Sequence, residues 1–336
     1  MNITIGKKTE ILLLKKNVIN SFVEHVSYIK STRRALYRGK LERVMRCPVC
    51  AASTKNSLFK MAVYGGKYHE CLNCSHHFII DRPARRALEQ FYSTDKRYAS
   101  TYTDAKTNEN RVRQVAMPKA RWMIKQFKSL YGRYPKFVLD VGAGGGHFVY
   151  ACRNLGIKAE GLEVSEPSID FCKKSFGIEL KAMDFITNWR NFADADIVTF
   201  WGVIEHSTTP TALLAAAHKV LSRRNGLVVV NVPRWDSFST TIQSIFSKSI
   251  VRHLDPLGHI NCFTDKSISK AFEICGFAQN SAWYFGMDAY ELLTQLSYNL
   301  REKYIMHKLG THVDELQNCI DKQKLSDEIV LTGRPV

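Results

Sequence analysis

The chain has 336 residues, 45% of them hydrophobic, and its 48 basic and 31 acidic side chains give a formal charge of +17. That length accommodates one full α/β domain with a smaller partner, and the composition excludes a disordered or collagen-like chain. The longest apolar runs, such as Ile11 to Leu14 and Leu227 to Val230, fall far short of the ~18 residues of a spanning helix. No signal-peptide pattern precedes them, so a cytoplasmic location is expected.

The charge is unevenly divided. Residues 1–46 carry 11 basic and 3 acidic side chains, residues 47–136 carry 17 and 6, and residues 137–336 carry 20 and 22. All the net basicity therefore precedes residue 137. It fits contact with a phosphorylated small molecule, a nucleic acid or an acidic membrane face, and equally a solvated basic surface. Nine cysteines without a secretory pattern argue against a disulfide framework.

Within residues 1–46, Ile11, Leu14, Val18, Phe22, Val26 and Ile29 recur at helical spacing, and Arg33, Arg34, Arg38, Lys40, Arg43 and Arg46 follow. The expectation is a basic amphipathic helix with a basic tail, packed on the body of the protein or on a membrane surface. Residues 47–82 contain Cys47-Pro-Val-Cys50 and, after twenty residues, Cys71-Leu-Asn-Cys74. Two such knuckles place four thiolates at the corners of a tetrahedron, with a hairpin turn at Tyr64-Gly65-Gly66-Lys67. A zinc ribbon with structural Zn2+ on Cys47, Cys50, Cys71 and Cys74 is expected. His69, His76 and His77 crowd the second knuckle, although a four-cysteine site needs none of them. Residues 83–136 read as a helical lid or linker interrupted by a tyrosine-bearing stretch with Tyr98 and Tyr102.

From Phe137 to Phe148 an apolar strand runs into Gly142, Gly144, Gly145 and Gly146 and then opens a helix. A turn this rich in glycine brings the backbone against a ligand. His147 stands where the third glycine of a dinucleotide fingerprint would be, and Asp140 stands two residues before the first glycine. A carboxylate at the strand tip repels a pyrophosphate and favours a ligand with an α-ammonium beside a sulfonium. With Asp140, Gly142, Gly144 and Gly146 in this spacing the chain resembles the class I S-adenosylmethionine-dependent methyltransferases, from about Phe137 onward. The resemblance implies a doubly wound, Rossmann-like α/β fold with a seven-stranded sheet over 137–336, and S-adenosyl-L-methionine as cofactor.

A second strand ends at Glu163, 21 residues after Gly142, where a carboxylate suits ribose hydroxyls. The third strand region, Met183-Asp184-Phe185, resembles the segment that meets the adenine, and Trp201 ends strand four at the cofactor. There follow Glu205 and His206, where reacting atoms meet in this fold. A histidine titrating near ~6.5 can take a proton from the acceptor, with Glu205 orienting it. The same pair can also serve only as a helix cap and a pocket wall. His259 is a weaker pocket candidate. About forty residues, 286–326, form a helical insertion before the last strand, either over the site or at a dimer interface.

The zinc-knuckled half and the Glu-His pair are similar to deoxysugar C-methyltransferases, but their long additional C-terminal domain is missing. The expected activity is methyl transfer to O or C of a small, anionic or sugar-linked metabolite. An RNA methyltransferase using the basic half is the alternative, although no Asn-Pro-Pro-Tyr/Phe motif follows strand four. A non-catalytic zinc-ribbon binding protein is the alternative of another class.

Overall fold

The computed structural model describes residues 1–7, 22–94, 107–245, 253–302 and 304–336. Among them no helix is long and apolar enough to cross a membrane. Ile11, Leu14, Val18, Tyr98 and Tyr102 lie outside the described residues.

The strands in chain order are β1 (Asn2–Ile5), β2 (Leu41–Arg43), β3 (Leu58–Val63), β4 (Gly66–Glu70), β5 (His77–Ile79), β6 (Asp81–Pro83), β7 (Phe137–Val141), β8 (Lys158–Leu162), β9 (Ile197–Trp201), β10 (Leu227–Pro233), β11 (Asn261–Cys262), β12 (Phe277–Phe285) and β13 (Glu328–Pro335). Seven of them form one sheet in the order β1-β12-β13-β10-β9-β7-β8. Strands β7, β9 and β10 are apolar nearly throughout, as parallel strands covered on both faces must be, and β7 pairs in parallel with both β8 and β9. The winding reverses at β7, so the carboxyl ends of β7 and β9 flank the crevice where this architecture takes ligands.

The sheet has seven strands as expected, but the roster differs at both ends. The segment at Met183 makes no strand; only one bridge, Leu162 to Lys181, continues the sheet beyond β8. Asp184 instead caps a short helix, its carboxylate accepting from the Thr187 amide and hydroxyl, both at 2.8 Å. A local side-chain cap of this kind outcompetes strand pairing. The seventh place is filled by β1, which runs parallel to β12 at the opposite edge. Trp122 Nε1 donates to Thr4 Oγ1 at 2.9 Å and Trp283 Nε1 to the Gly6 carbonyl at 2.7 Å, pinning the strand.

The basic tail is also more ordered than its composition suggests. Helix α1 (Phe22–Tyr37) includes Arg33 and Arg34, and β2 pairs with β6. The ribbon hairpin turns at Tyr64 and Gly65, both at positive φ, as a twisted two-residue hairpin requires. Its sheet, β11-β5-β4-β3, borrows a strand from the loop that follows α1's anchor residue, Asp255. Asn261 lies opposite Phe78, and Cys262 opposite His77. Tyr37 and Tyr68 reach the same loop, their hydroxyls donating to the carbonyls of Pro256 (2.7 Å) and His259 (2.8 Å). The helical insertion is tied back through Asp288, fully buried, which accepts from Ser239, Gln317 and the Asp327 amide.

Arg33 is only 3% exposed and holds Asp255 with two bonds, Nε to Oδ1 at 3.0 Å and Nη2 to Oδ2 at 2.6 Å. Removing one member of such a pair strands the other charge out of water. Arg33→Ala is expected to lower the unfolding free energy by about 3–5 kcal/mol in denaturant titration, whereas substitution of the exposed Arg38 should change it by less than about 0.5 kcal/mol.

Candidate active site

The glycine loop is wound as its composition requires. Gly142, Gly144 and Gly146 have φ of 72°, 52° and 75°, the left-handed region that other residues enter at a cost. The three serve different ends. A Cβ on Gly142 would stand 2.7 Å from Val203, and one on Gly146 would stand 2.1 Å from Cys172 Sγ, so Gly146 is buried packing between α-helical and strand layers. Gly144 donates its amide to Glu163 Oε2 at 2.7 Å. The other oxygen of Glu163 accepts from the amides of Val164 and Ser165 at 2.8 and 2.9 Å. A carboxylate offers about four acceptor positions, so this one is fixed in direction and retains capacity for a hydroxyl.

Asp140 is 2% exposed and accepts from Thr199 Oγ1 at 2.6 Å. Burial raises its pKa to about 7, with the Thr199 bond and the Lys119 charge opposing the rise. Lys119 is a participant the sequence did not reveal. Its ammonium sits 4.5 Å from the centre of the Trp201 ring and donates to Asn231 Oδ1 at 2.9 Å, and Asn231 in turn donates to Glu328 Oε2 at 3.2 Å. Nothing in the spacing of helix residues 117–131 marks Lys119, because its meaning lies in the ends of β7, β9, β10 and β13 that surround it.

The remaining expected cofactor residues separate. Trp201 stands at the tip of β9 with Phe148 at 5.1 Å and its Nε1 buried without a partner. Asp184 is exposed beyond β8, whereas Phe185 is in the core, edge-on to Phe200.

Past β9, Gly202 at φ 72° turns the chain so that Glu205 points inward. A Cβ on Gly202 would lie 3.2 Å from Glu205 Oε1. Glu205 is 2% exposed, its Oε2 has no hydrogen-bond partner, and burial raises its pKa to about 7. His206 approaches Glu205 Oε1 to 3.8 Å through Nε2, too far for a hydrogen bond. The His206 tautomer is set by another group: Nδ1 lies 2.7 Å from the Gly258 carbonyl, which can only accept. His259 is 5.0 Å from His206 between ring centres, and its Nδ1 meets the His253 carbonyl at 2.8 Å.

This loop is carried by the ribbon. Asn261 Nδ2 faces the carbonyls of Ile204, Glu205 and Ser207 at 3.4, 3.3 and 2.8 Å, and its Oδ1 lies 3.1 Å from His76 Nε2. His77 stacks on Trp235 at 4.0 Å. Below it, Cys47 and Cys74 have their Sγ atoms 3.6 Å apart, as do Cys50 and Cys71, and all four lie within 4.8 Å of one another. A tetrahedron with Zn–S near ~2.3 Å has edges of about 3.8 Å, so the donor set fits the ion.

Residues 115–281 match a family described as a methyltransferase domain. These residues, about half of the chain, belong to that methyltransferase domain family. No curated protein matches it in sequence. Among solved structures, this methyltransferase is similar to an S-adenosylmethionine-dependent methyltransferase of Archaeoglobus fulgidus, at 18% identity, 66% coverage of this chain and 94% of that chain, TM-score 0.42. It is also similar to 1,6-didemethyltoxoflavin-N1-methyltransferase of Burkholderia thailandensis (15%, 80% and 98%, TM-score 0.47) and to a plantazolicin methyltransferase (16%, 74% and 93%, TM-score 0.46), both solved with S-adenosylhomocysteine.

With burial raising the Asp140 pKa to about 7, its carboxyl is largely neutral below that pH and attracts no cation, while above it the carboxylate does. Affinity of this methyltransferase for S-adenosylmethionine is expected to fall on acidification below pH 7, by up to about tenfold per unit, and to lose that slope in Asp140→Asn. Calorimetry between pH 5.5 and 7.5 measures both.

Proposed function

We propose that this enzyme transfers the methyl group of S-adenosylmethionine to an oxygen or carbon of a small, anionic or sugar-linked metabolite. Convergence of the glycine loop, Asp140 and Glu163 at the carboxyl ends of β7 and β8 carries the cofactor half of the reading. In it Gly142 and Gly144 admit the cofactor's backbone approach, Gly146 shapes the loop, and Glu163 takes the ribose. Asp184 and Phe185 mark the adenine end, and Trp201 borders the methionyl end. Activation of the acceptor is assigned to His206 and Glu205, which follow β9 on the side where the sulfonium would lie.

In the same reading residues 47–82 form a zinc ribbon, residues 1–46 and 83–136 supply the basic helix and lid, and the domain from 137 onward, with its 286–326 insertion, does the chemistry. The ribbon's contact with the Glu205 loop favours a structural task for it over the tracking of nucleic acid. Part of the basic excess is also spent internally, on the Arg33 pair.

Gly144→Val is expected to abolish cofactor binding in calorimetry, since it both strains a left-handed position and fills the crevice. Unaltered binding would overturn the assignment. His206→Asn should lower turnover by roughly 10²–10⁴-fold with cofactor affinity nearly unchanged. Acceptors are sought by incubating the protein with labelled cofactor and fractionated extract, with and without nuclease; a nuclease-sensitive product would favour RNA. Metal analysis should return about one zinc per chain, lost in Cys71→Ser together with stability of the N-terminal half.

A further inference from the structure

Glu205, His206 and His259 come from two loops 53 to 54 positions apart in sequence, yet one ligand atom from each lies within 4.8 Å of the others. Glu205 is buried with Oε2 lacking any hydrogen-bond partner, a costly state for a carboxylate unless something positive meets it. His206 and His259 each direct Nδ1 at a backbone carbonyl, of Gly258 and His253 respectively. That is how imidazoles are fixed when their other nitrogen serves as a ligand. The Glu-His hydrogen bond that a simple proton relay requires is missing at 3.8 Å, while the same separation suits two donors facing a common ion.

We propose that Glu205, His206 and His259 bind a single divalent transition-metal cation at the carboxyl end of β9. Two imidazoles and one carboxylate form a donor set for zinc, iron, cobalt or manganese, and three protein ligands leave further positions for water or an acceptor oxygen. The site is separate in chemistry from the four-cysteine cluster, which is soft and closed. The cation's role in activating the acceptor rests on the methyl-transfer reading above; its binding does not. A cation on His206 takes the lone pair that a general base would use, so an acceptor hydroxyl would be activated through the ion, which lowers its pKa and lets its proton leave to water, and His206→Asn would lower turnover on this reading as well.

The full chain, dialysed against EDTA and still carrying its thiolate-held zinc, is titrated with Mn2+ followed by electron paramagnetic resonance and with Co2+ followed by d–d absorption. Neither ion displaces zinc from four thiolates. The wild type should take up one equivalent of at least one of them, with Co2+ bands free of sulfur charge transfer. Glu205→Gln and His259→Ala should weaken uptake at least tenfold while binding S-adenosylhomocysteine with wild-type affinity, which shows that they are folded. No uptake of either ion by the wild type, or equal uptake by both variants, overturns the proposal. Failure of S-adenosylhomocysteine binding in the wild type would instead strike the methyl-transfer reading.

Discussion

The hydrogen bonds of Asn261 hold together parts of the molecule that are distant in sequence. One amide group gathers the carbonyls of Ile204, Glu205 and Ser207, and its oxygen accepts a hydrogen bond from a fully buried His76 two residues beyond the second cysteine knuckle. The geometry of the loop after β9 is thus set from outside the sheet that carries it. Carbonyls at a tight turn must find donors when buried, and here one side chain reaches three of them, with the Ser207 amide also donating to Ile204. The pairing of β5 with β11 and the bonds from Tyr37 and Tyr68 fix Asn261 itself, so the four-cysteine cluster, the N-terminal helix and the loop after β9 form one chain of contacts.

Electrostatics at the strand ends follow from that closure. Asp140 and Glu205 are both buried enough to be pushed to about 7, and Lys119 lies near both with its own pKa lowered by burial. Acid and base each destabilise the other's neutral form, which limits how far either shift can go. The net charge of this region depends on which of these protons is present.

The central architecture was legible because buried parallel strands announce themselves as apolar runs and because a left-handed turn demands glycine. Glu163 and the four cysteines were equally legible, since each depends on spacing within a short stretch. What escaped had non-local causes. Lys119 acquires its role from four strand ends, and Asn261 from a ribbon 185 positions away in sequence. Strand β1 consists of four residues beside a helical stripe, and its partner was invisible to any window. The Asp184 cap was a different kind of miss: Asp three residues before Thr187 is a local signal, but the expected third strand was given precedence over it.

The pairing of Asn2 with Ser281 and Ile5 with Tyr284 encloses nearly the whole chain in one loop. Its entropic cost grows only slowly with length, by about 0.6 kcal/mol per doubling, so the closed state is easily sustained once reached. Reaching it is another matter. On the ribosome β1 must wait, its edge unpaired, until β12 has been made, and long-range pairing of this kind slows folding. The sheet therefore has a late step of assembly in which its first strand in sequence becomes the immediate neighbour of its second-last.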